Sequence, residues 1–392
     1  MLSGVFSRRS SGERQENDVA AAVQALRRAG RPFLDLTDSN PTSVGLPFDD
    51  EAVHRALSRA SYQHYEPLPF GMLSARAAVA GQYRARGIEQ HVEHVALTAS
   101  TSESYAFLFA LLGDPGDEIL VPSPSYPLFE YLARFSGLRP VAYPLRYDGA
   151  WHVDLDATAR AVTARTRVLV VVNPNNPTGS LLSGEEWQRL AQLGLPLISD
   201  EVFASYPLQV IDKPQSILSA LPNPPVPVMA LDGLSKYAGL PQLKLGSIAF
   251  NAPGSMLDEL QHRLELIADT FLSVATPVQA ALPELLAVGA ARNRLILQRI
   301  VDNRALLDVT LSTGPASLLR ADGGWSAVVR LPQVMSEPAW VMNLLQEQGV
   351  LVQPGWFYDF AEGPIVVLSL LTEVERFATG VQAFGAAIER SC

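Results

Sequence analysis

Short apolar runs recur between residues 94 and 250, and a helical pattern separates most of them. VLVVVN (168–173) is the plainest run: it is apolar at consecutive positions and would therefore be buried on both faces of a sheet. Strands that are covered on both faces and joined through helices occur in mostly parallel sheets. The chain is therefore predicted to contain a doubly wound, mostly parallel α/β sheet.

The predicted elements follow the chain in order. Strands are expected at HVALT (94–98), EILVP (118–122), VLVVVN (168–173), LPLISDEVF (195–203), VPVMALDG (226–233) and GSIAF (246–250), and helices at 18–29, 102–113 and 185–194. Beyond residue 255, helical patterns (257–272, 290–311, 372–390) are accompanied by two or three short strands. We divide the 392 residues into an N-terminal arm that joins the smaller domain (1–45), a large domain (46–275) and a smaller α+β domain (276–392).

Charge and cysteine content argue against several classes of protein. A net charge of −10 with scattered basic residues argues against a nucleic-acid partner. Cys392 is the only cysteine, so no intrachain disulfide can form and a reducing compartment is expected. No stretch reaches the length of a membrane span, and the polar N-terminus lacks the apolar core of a signal peptide. We expect a cytoplasmic protein without a membrane partner or a metal site.

Four predicted strands lead into polar residues. Ligands of open parallel sheets bind beyond the carboxyl ends of the strands, so a site is expected there. These ends supply Ser100, Thr101 and Ser102 at a helix start, Asn176 in PNNPTG, Asp200, and Lys236. Each has an ordinary alternative when it is taken alone: a helix cap, a turn, a buried salt bridge and a surface lysine.

Lysine is rare in this chain, which makes Lys236 informative. There are 27 arginines and three lysines, and Lys236 and Lys244 lie eight residues apart in one apolar, glycine-rich stretch. A desolvated lysine amine can lose its proton and form an imine, which arginine cannot do. An imine-forming amine, a carboxylate for a ring nitrogen, an amide for a ring oxygen and a helix start for a phosphate suit pyridoxal 5′-phosphate. We predict this cofactor.

Five motifs, in this order and spacing, resemble those of the fold-type-I, class I and II aminotransferases. They are YEPLPFG (65–71), PSPSYP (122–127), NPNNPTG (173–179), SDEVF (199–203) and SKYAGLPQLKLG (235–246). The resemblance covers the chain from about residue 30 to the C-terminus. It implies the pyridoxal-phosphate transferase fold of type I and a homodimer with shared active sites.

The resemblance also implies roles around the cofactor. Lys236 would be the Schiff-base lysine and proton shuttle, Asp200 the partner of the pyridine nitrogen, Asn176 the partner of the ring oxygen, Tyr126 the stacking aromatic, and Ser100, Thr101 and Ser102 the phosphate cradle. For Tyr126, a core tyrosine beside two prolines is the alternative.

Four further positions match the family around the phosphate and the substrate. Lys244 falls where relatives have a phosphate-binding arginine, and its apolar setting disfavours a solvated lysine. Tyr65 falls where a tyrosine reaches the phosphate of the neighbouring subunit; a packing tyrosine is the alternative. Ser39 and Asn40 fall where the N-terminal loop closes on the substrate.

Three positions depart from the family pattern. Phe203 replaces a tyrosine that donates to the ring oxygen, so we predict a raised pKa for the lysine–cofactor imine. Gly233 replaces a hydroxyl residue that contacts the phosphate. Val367 replaces the arginine that grips the substrate carboxylate, which leaves the anchor open between Asn176, backbone groups near Ser39 and an arginine from elsewhere.

Residues on the expected substrate side give weaker indications. Trp356 and Tyr358 indicate either an aromatic-rimmed pocket or small-domain core. Asp269 lies near the place where relatives present a cationic substrate-binding residue, which argues against a dicarboxylic substrate.

These inferences predict a pyridoxal-phosphate-dependent aminotransferase that moves an amino group from an amino acid to a 2-oxo acid by a ping-pong mechanism. A lyase that uses the same cofactor for β-elimination or decarboxylation is the alternative, because the missing arginine leaves the outcome open. A non-catalytic regulator would be expected to carry a basic DNA-binding domain, and a nicotinamide dehydrogenase a G-x-G-x-x-G loop. Neither pattern is present.

Overall fold

The structure is a computed structural model that describes residues 5–10, 17–60, 63–210 and 212–392. Its helices are α1 (Asp18–Arg28), α2 (Asp50–Arg59), α3 (Leu73–Ala85), α4 (Thr101–Leu112), α5 (Leu128–Phe135), α6 (Leu155–Ala161), α7 (Gly184–Ala191), α8 (Ile217–Ala220), α9 (Leu234–Tyr237), α10 (Ser255–Phe271), α11 (Thr276–Leu311), α12 (Glu337–Gln346) and α13 (Val374–Ser391). Its strands are β1 (Leu34–Asp35), β2 (Val95–Thr98), β3 (Glu118–Ser123), β4 (Arg139–Tyr147), β5 (Trp151–Val153), β6 (Thr166–Val172), β7 (Leu197–Asp200), β8 (Val228–Gly233), β9 (Gly246–Asn251), β10 (Ser317–Leu318), β11 (Ser326–Arg330), β12 (Val350–Leu351), β13 (Gln353–Pro354) and β14 (Ile365–Ser369).

The large sheet has eight strands in the order β2-β9-β8-β7-β6-β3-β4-β5. The central strands β8, β7, β6, β3 and β4 run parallel, whereas β9 is antiparallel to both of its neighbours and β5 is antiparallel to β4. The predicted mostly parallel α/β sheet is therefore confirmed.

Each face of this sheet is covered by its own core. Alternate residues of β6 show this directly: Leu169 and Val171 pack in one apolar cluster, whereas Val168, Val170 and Val172 pack in another. Successive strand residues point to opposite faces. The continuous apolar run in β6 is thus explained by burial on both faces.

A second, smaller sheet has the strand order β10-β11-β14-β13 and is antiparallel. A third apolar core lies between this sheet and the C-terminal helices, where Trp340 and Phe377 are fully buried. Strand β1 pairs in parallel with β12, so the N-terminal segment packs against this part of the chain.

The helix α11 connects the two parts of the molecule. Leu282 and Leu285, near its start, belong to a core of the large sheet, whereas Ile300 and Leu307 belong to the core of the small sheet. The predicted division at residue 275/276 falls where α11 begins and stays a prediction.

The strand predicted at 195–203 is shorter in the structure. β7 ends at Asp200, because the next residues form a turn in which the Ala204 N–H donates to the Glu201 carbonyl (2.8 Å). The turn directs Phe203 back towards the end of the sheet.

Within the described part of the chain, no single helix combines the length and apolarity of a membrane span. The pair α10 and α11 meets that test only jointly and is bent by 119°.

Candidate active site

Asp200 lies at the carboxyl end of β7, partly buried and held by two donors. The Tyr105 hydroxyl donates to its Oδ2 (3.0 Å), and the Val202 N–H donates to its Oδ1 (3.3 Å). Burial raises the pKa of Asp200 to about 6, and these donors and the charge of Lys236 oppose the rise. The salt-bridge alternative would require a cation in contact with this carboxylate. Among the described residues, no ion pair includes Asp200.

Lys236 lies on the short helix α9, directly after β8, which pairs with β7. Its Nζ is 5.5 Å from the centroid of the Phe203 ring and 4.9 Å from that of the Trp325 ring. Burial lowers the pKa of the Lys236 amine, and the charge of Asp200 opposes this effect. The surface-lysine alternative is therefore wrong. The Tyr206 hydroxyl donates to the Lys236 carbonyl and holds α9 in place.

The NPNNPTG segment joins the ends of β3 and β6 through Asn175. Asn175 is buried; its Nδ2 donates to the Pro124 carbonyl (3.0 Å), and its Oδ1 accepts from the Ser125 hydroxyl (3.0 Å). The next residue, Asn176, accepts from the Ser326 hydroxyl at Oδ1 (3.3 Å). No hydrogen bond in the described part of the chain uses Nδ2 of Asn176, which leaves that amide available to a ring oxygen.

Asn175 is a site-building residue that the sequence interpretation missed. Its contacts tie the Asn176 loop to the loop that carries Tyr126, whose side chain is 45% exposed. The doubled asparagine in NPNNP was a signal that could have identified it.

The start of α4 has the features of a phosphate cradle. The Ser100 hydroxyl caps the helix by accepting from the Glu103 N–H (3.2 Å). The helix-cap alternative is therefore correct for Ser100. Thr101 and Ser102 follow in the first turn, where backbone N–H groups and the helix dipole favour an anion. A Cβ at Gly246 would lie 2.9 Å from the Ser100 carbonyl carbon, so β9 packs tightly beneath this turn.

Lys244 and Tyr65 are both exposed. Lys244 has φ 49°, and its neighbour Leu245 is buried, so the lysine points away from the core. The expected apolar setting of Lys244 is therefore wrong. Tyr65 is 69% exposed and lines a cleft with Leu97 and Gln279, separate from the cavity that contains Lys236.

Residues 38–364 match the family "Aminotransferase class I and II". The chain belongs to this family.

Known members of the family resemble the chain over much of its length. Human tyrosine aminotransferase is 29% identical over 282 residues, which are 69% of this chain and 61% of that protein. Alanine aminotransferase of Mycobacterium tuberculosis is 27% identical over 373 residues, 92% of this chain and 86% of the relative. A double mutant of Thermus thermophilus aspartate aminotransferase superposes with a TM-score of 0.82 at 25% identity, covering 97% of this chain and 99% of that chain. The chain thus spans about six tenths of the tyrosine aminotransferases that it matches.

Enzymes of the aminotransferase family use pyridoxal phosphate, and the residues described above fit it. The site offers an amine, a carboxylate, an unused amide N–H and a helix start. Trp325 adds a further donor: it is 3% exposed, and its Nε1 has no hydrogen-bond acceptor among the described residues. The donor chemistry therefore matches a phosphorylated, hydroxylated pyridine aldehyde.

Gly233 and Val367 both lie in closely packed strands. A Cβ at Gly233 would lie 2.8 Å from the Leu245 carbonyl oxygen, so the packing of β8 on β9 leaves no room for a hydroxyl side chain. Val367 is 2% exposed in β14 and pairs with Val328 and Gln353. The surroundings of Val367 in the small sheet are therefore apolar.

The mouth of the Lys236 cavity is formed by the N-terminal loop. Its volume is about 500 Å³, and it is lined by Asp35, Thr37, Asp38, Ser39, Asn40, Pro41, Lys236 and Pro241. The Ser39 hydroxyl donates to the Ser369 hydroxyl at the end of β14 (3.2 Å), and Asn40 Oδ1 accepts from the Thr42 N–H (3.1 Å). The structure thus brings Ser39 and Asn40 to the same cavity as Lys236.

The aromatic residues that the sequence singled out have different environments. Tyr358 is buried and its hydroxyl donates to Gln353 Oε1, whereas Trp356 is 41% exposed. Tyr358 is therefore a core residue, whereas Trp356 lies on an open wall.

Asp269 is exposed on α10. No group of three His, Cys, Asp or Glu side chains within the described ranges could hold a metal ion.

Proposed function

We propose that this chain is an aminotransferase that moves an amino group from an amino acid to a 2-oxo acid in two half-reactions, with Lys236 as the imine-forming residue. The observation that carries the proposal is the Lys236 amine itself. It lies beside the Phe203 and Trp325 rings, and burial lowers its pKa. A lowered pKa increases the fraction of neutral amine, which is the nucleophilic form.

The remaining residues of the site would divide the work of binding and proton transfer. When bound, pyridoxal phosphate supplies an aldehyde for amines and a ring that withdraws electrons from the substrate α-carbon. Asp200 would hold the ring nitrogen protonated, and the Asn176 amide would donate to the ring oxygen. The start of α4 would hold the phosphate, with Lys244 nearby. Lys236 would carry the proton to and from the α-carbon.

We also propose a homodimer in which the Tyr65 cleft faces the partner subunit. Leu68, Leu266 and Phe271 are 39%, 67% and 60% exposed, and the cleft beside Tyr65 includes Leu272. Large apolar side chains exposed together indicate an interaction surface. A shared site would give Tyr65 a phosphate to contact in the neighbouring subunit. We propose a cytoplasmic location, consistent with the single cysteine.

The proposal is tested by exchanging lysine for arginine at two positions. Lys236→Arg keeps the positive charge and removes imine chemistry, so it should abolish the absorbance band of the lysine–cofactor imine and the formation of 2-oxo acid. Lys213→Arg is the matched control, because Lys213 forms an ion pair with Asp322 (2.8 Å) that an arginine can keep. Normal turnover by the Lys236 variant would refute the proposal.

A lyase on the same cofactor is the second candidate. Two observations favour it: the apolar wall at Val367, and a relative from Arabidopsis thaliana named S-alkyl-thiohydroximate lyase SUR1, 32% identical over 274 residues (64% of this chain and 56% of that protein). Without an acceptor, a transaminase yields one equivalent of 2-oxo acid per site and no ammonia. A β-eliminating lyase releases ammonia over many turnovers, so an ammonia assay separates the two candidates.

A further inference from the structure

An apolar cleft of about 320 Å³ lies between α1 and the segment that follows β12. Val19 and Val23 of α1 form one wall, and the other wall includes Val352 and Pro354. Trp356 and Phe357 complete it and remain 41% and 44% exposed. Exposed aromatic rings in a concave apolar setting are typical of small-molecule sites, which have volumes of about 300–1,000 Å³.

Thr37 lines both the cleft and the mouth of the Lys236 cavity, so the two adjoin there. Asp35 Oδ1 fixes Thr37 by accepting from its N–H (2.8 Å) and its hydroxyl (2.6 Å). A molecule whose amine lies at Lys236 would pass Thr37 to enter the cleft.

The charges around this path favour an apolar occupant. The mouth presents the carboxylates of Asp35 and Asp38, and the cation that lines the cleft is Arg27, which stacks over Phe33 (5.8 Å). An acidic tail would face the carboxylates at the mouth before it reached Arg27 and the apolar side chains of the cleft.

We propose that this cleft binds the tail of the amino substrate, and that the tail is a large apolar group, either aliphatic or aromatic. This inference rests on the proposed function, because it places the substrate amine at Lys236. Val19, Val23 and Trp356 act as specificity-determining residues. Donors with short side chains leave the cleft empty, and dicarboxylic donors are excluded by charge.

The test compares straight-chain donors on the holoenzyme. Burial of one methylene changes binding about four-fold. From 2-aminobutyrate to 2-aminooctanoate, kcat/KM should therefore rise on the order of 100-fold, and glutamate should react poorly. Equal kcat/KM for the short and long donors, or efficient use of glutamate, would overturn the inference and leave the transaminase proposal intact.

Two substitutions on α1 locate the effect. Val23→Phe fills the cleft and should bring kcat/KM for 2-aminooctanoate down to the level of 2-aminobutyrate. Ala21→Phe adds the same ring on the exposed face of α1 and should change neither donor. If Val23→Phe does not fold, Trp356→Ala, at an exposed position, should reduce the chain-length preference at least five-fold. A preference that survives in a folded variant contradicts the proposed cleft.

A binding measurement keeps this test separate from catalysis. Calorimetric titration of the cofactor-free protein should show n-octylamine binding on the order of 100-fold more tightly than n-butylamine, and Val23→Phe should remove that difference. This result together with no 2-oxo acid from any donor would refute the transaminase proposal and support the cleft. Equal affinities of the two amines would refute the cleft.

Discussion

Tyr105→Phe removes the side-chain donor to Asp200 and should destabilise the protein in a pH-dependent way. The hydroxyl lies 3.0 Å from Asp200 Oδ2, and Tyr105 is 3% exposed. Since burial raises the pKa of Asp200 to about 6, the carboxyl is mostly neutral at pH 5 and mostly ionised at pH 8. A hydrogen bond to a neutral acceptor contributes about 1 kcal/mol and one to a charged acceptor about 2.5 kcal/mol.

The loss of unfolding free energy should therefore grow from about 1 kcal/mol at pH 5 to about 2.5 kcal/mol at pH 8. The sign follows from linkage. In the unfolded chain the pKa of the Asp200 carboxyl is about 3.9, so the native state binds more protons than the unfolded state. The protein therefore loses stability as pH rises through this range. The difference of about 1.5 kcal/mol corresponds to a rise of roughly 1 in the pKa of Asp200 in the variant.

Urea denaturation of the cofactor-free protein at the two pH values measures this loss. Tyr143→Phe is the matched control: its hydroxyl is also buried but donates to the Val170 carbonyl (2.8 Å), which does not titrate. Its loss should be the same at both pH values. If Tyr105→Phe also costs the same at pH 5 and pH 8, Tyr105 does not stabilise the ionised form of Asp200, and the reasoning fails.

Three further outcomes are expected around the cofactor. Phe203→Tyr adds a donor near Lys236 and should lower the pH midpoint of the holoenzyme's visible-absorbance change in a spectroscopic titration; an unchanged or higher midpoint counts against it. Gly246→Ala places a Cβ 2.9 Å from the backbone that opens α4 and should weaken cofactor affinity roughly ten-fold or more in equilibrium dialysis. Gly184→Ala, with nothing within 4 Å of its Cβ, is the control and should bind normally. Lys244→Gln should weaken cofactor binding, more at low than at high salt; equal affinity at both would remove Lys244 from the phosphate site.

The sequence predicts the large sheet and the residues at its strand ends because both depend on local patterns. Apolar runs define β6, β7 and β8, and the polar residues that follow them include Asp200 and Lys236. Because the carboxyl ends of parallel strands meet at one edge, chain order is enough to bring these two side chains together.

Contacts made by side chains within helices and loops could not be predicted in the same way. Tyr105 lies in an apolar helical pattern and has the appearance of a core residue, yet it donates across 95 positions to Asp200. Asn175 differs from Asn176 only by position, and its partners come from the β3 loop. Such partners are set by tertiary packing, which a single sequence does not encode at the level of motifs.

The predicted apolar setting of Lys244 was wrong for a related reason, whereas its role at the phosphate stays a prediction. Neighbouring apolar residues indicated a buried setting, but the backbone at Lys244 is left-handed (φ 49°), and it is Leu245 that turns into the core. Composition within a window does not determine which side chain of a turn points inwards. The same feature leaves the amine of Lys244 free to approach an anion at the start of α4.

The buried pair of Asp200 and Lys236 indicates that the site needs a further cation. Burial raises the pKa of the carboxyl and lowers that of the amine, so each charge is disfavoured although the two attract. If Lys236 stayed protonated as the counter-ion of Asp200, it could not act as a nucleophile. A cofactor with a protonated ring nitrogen held by Asp200 would resolve this conflict, because it would supply the missing cation and leave the Lys236 amine free to react.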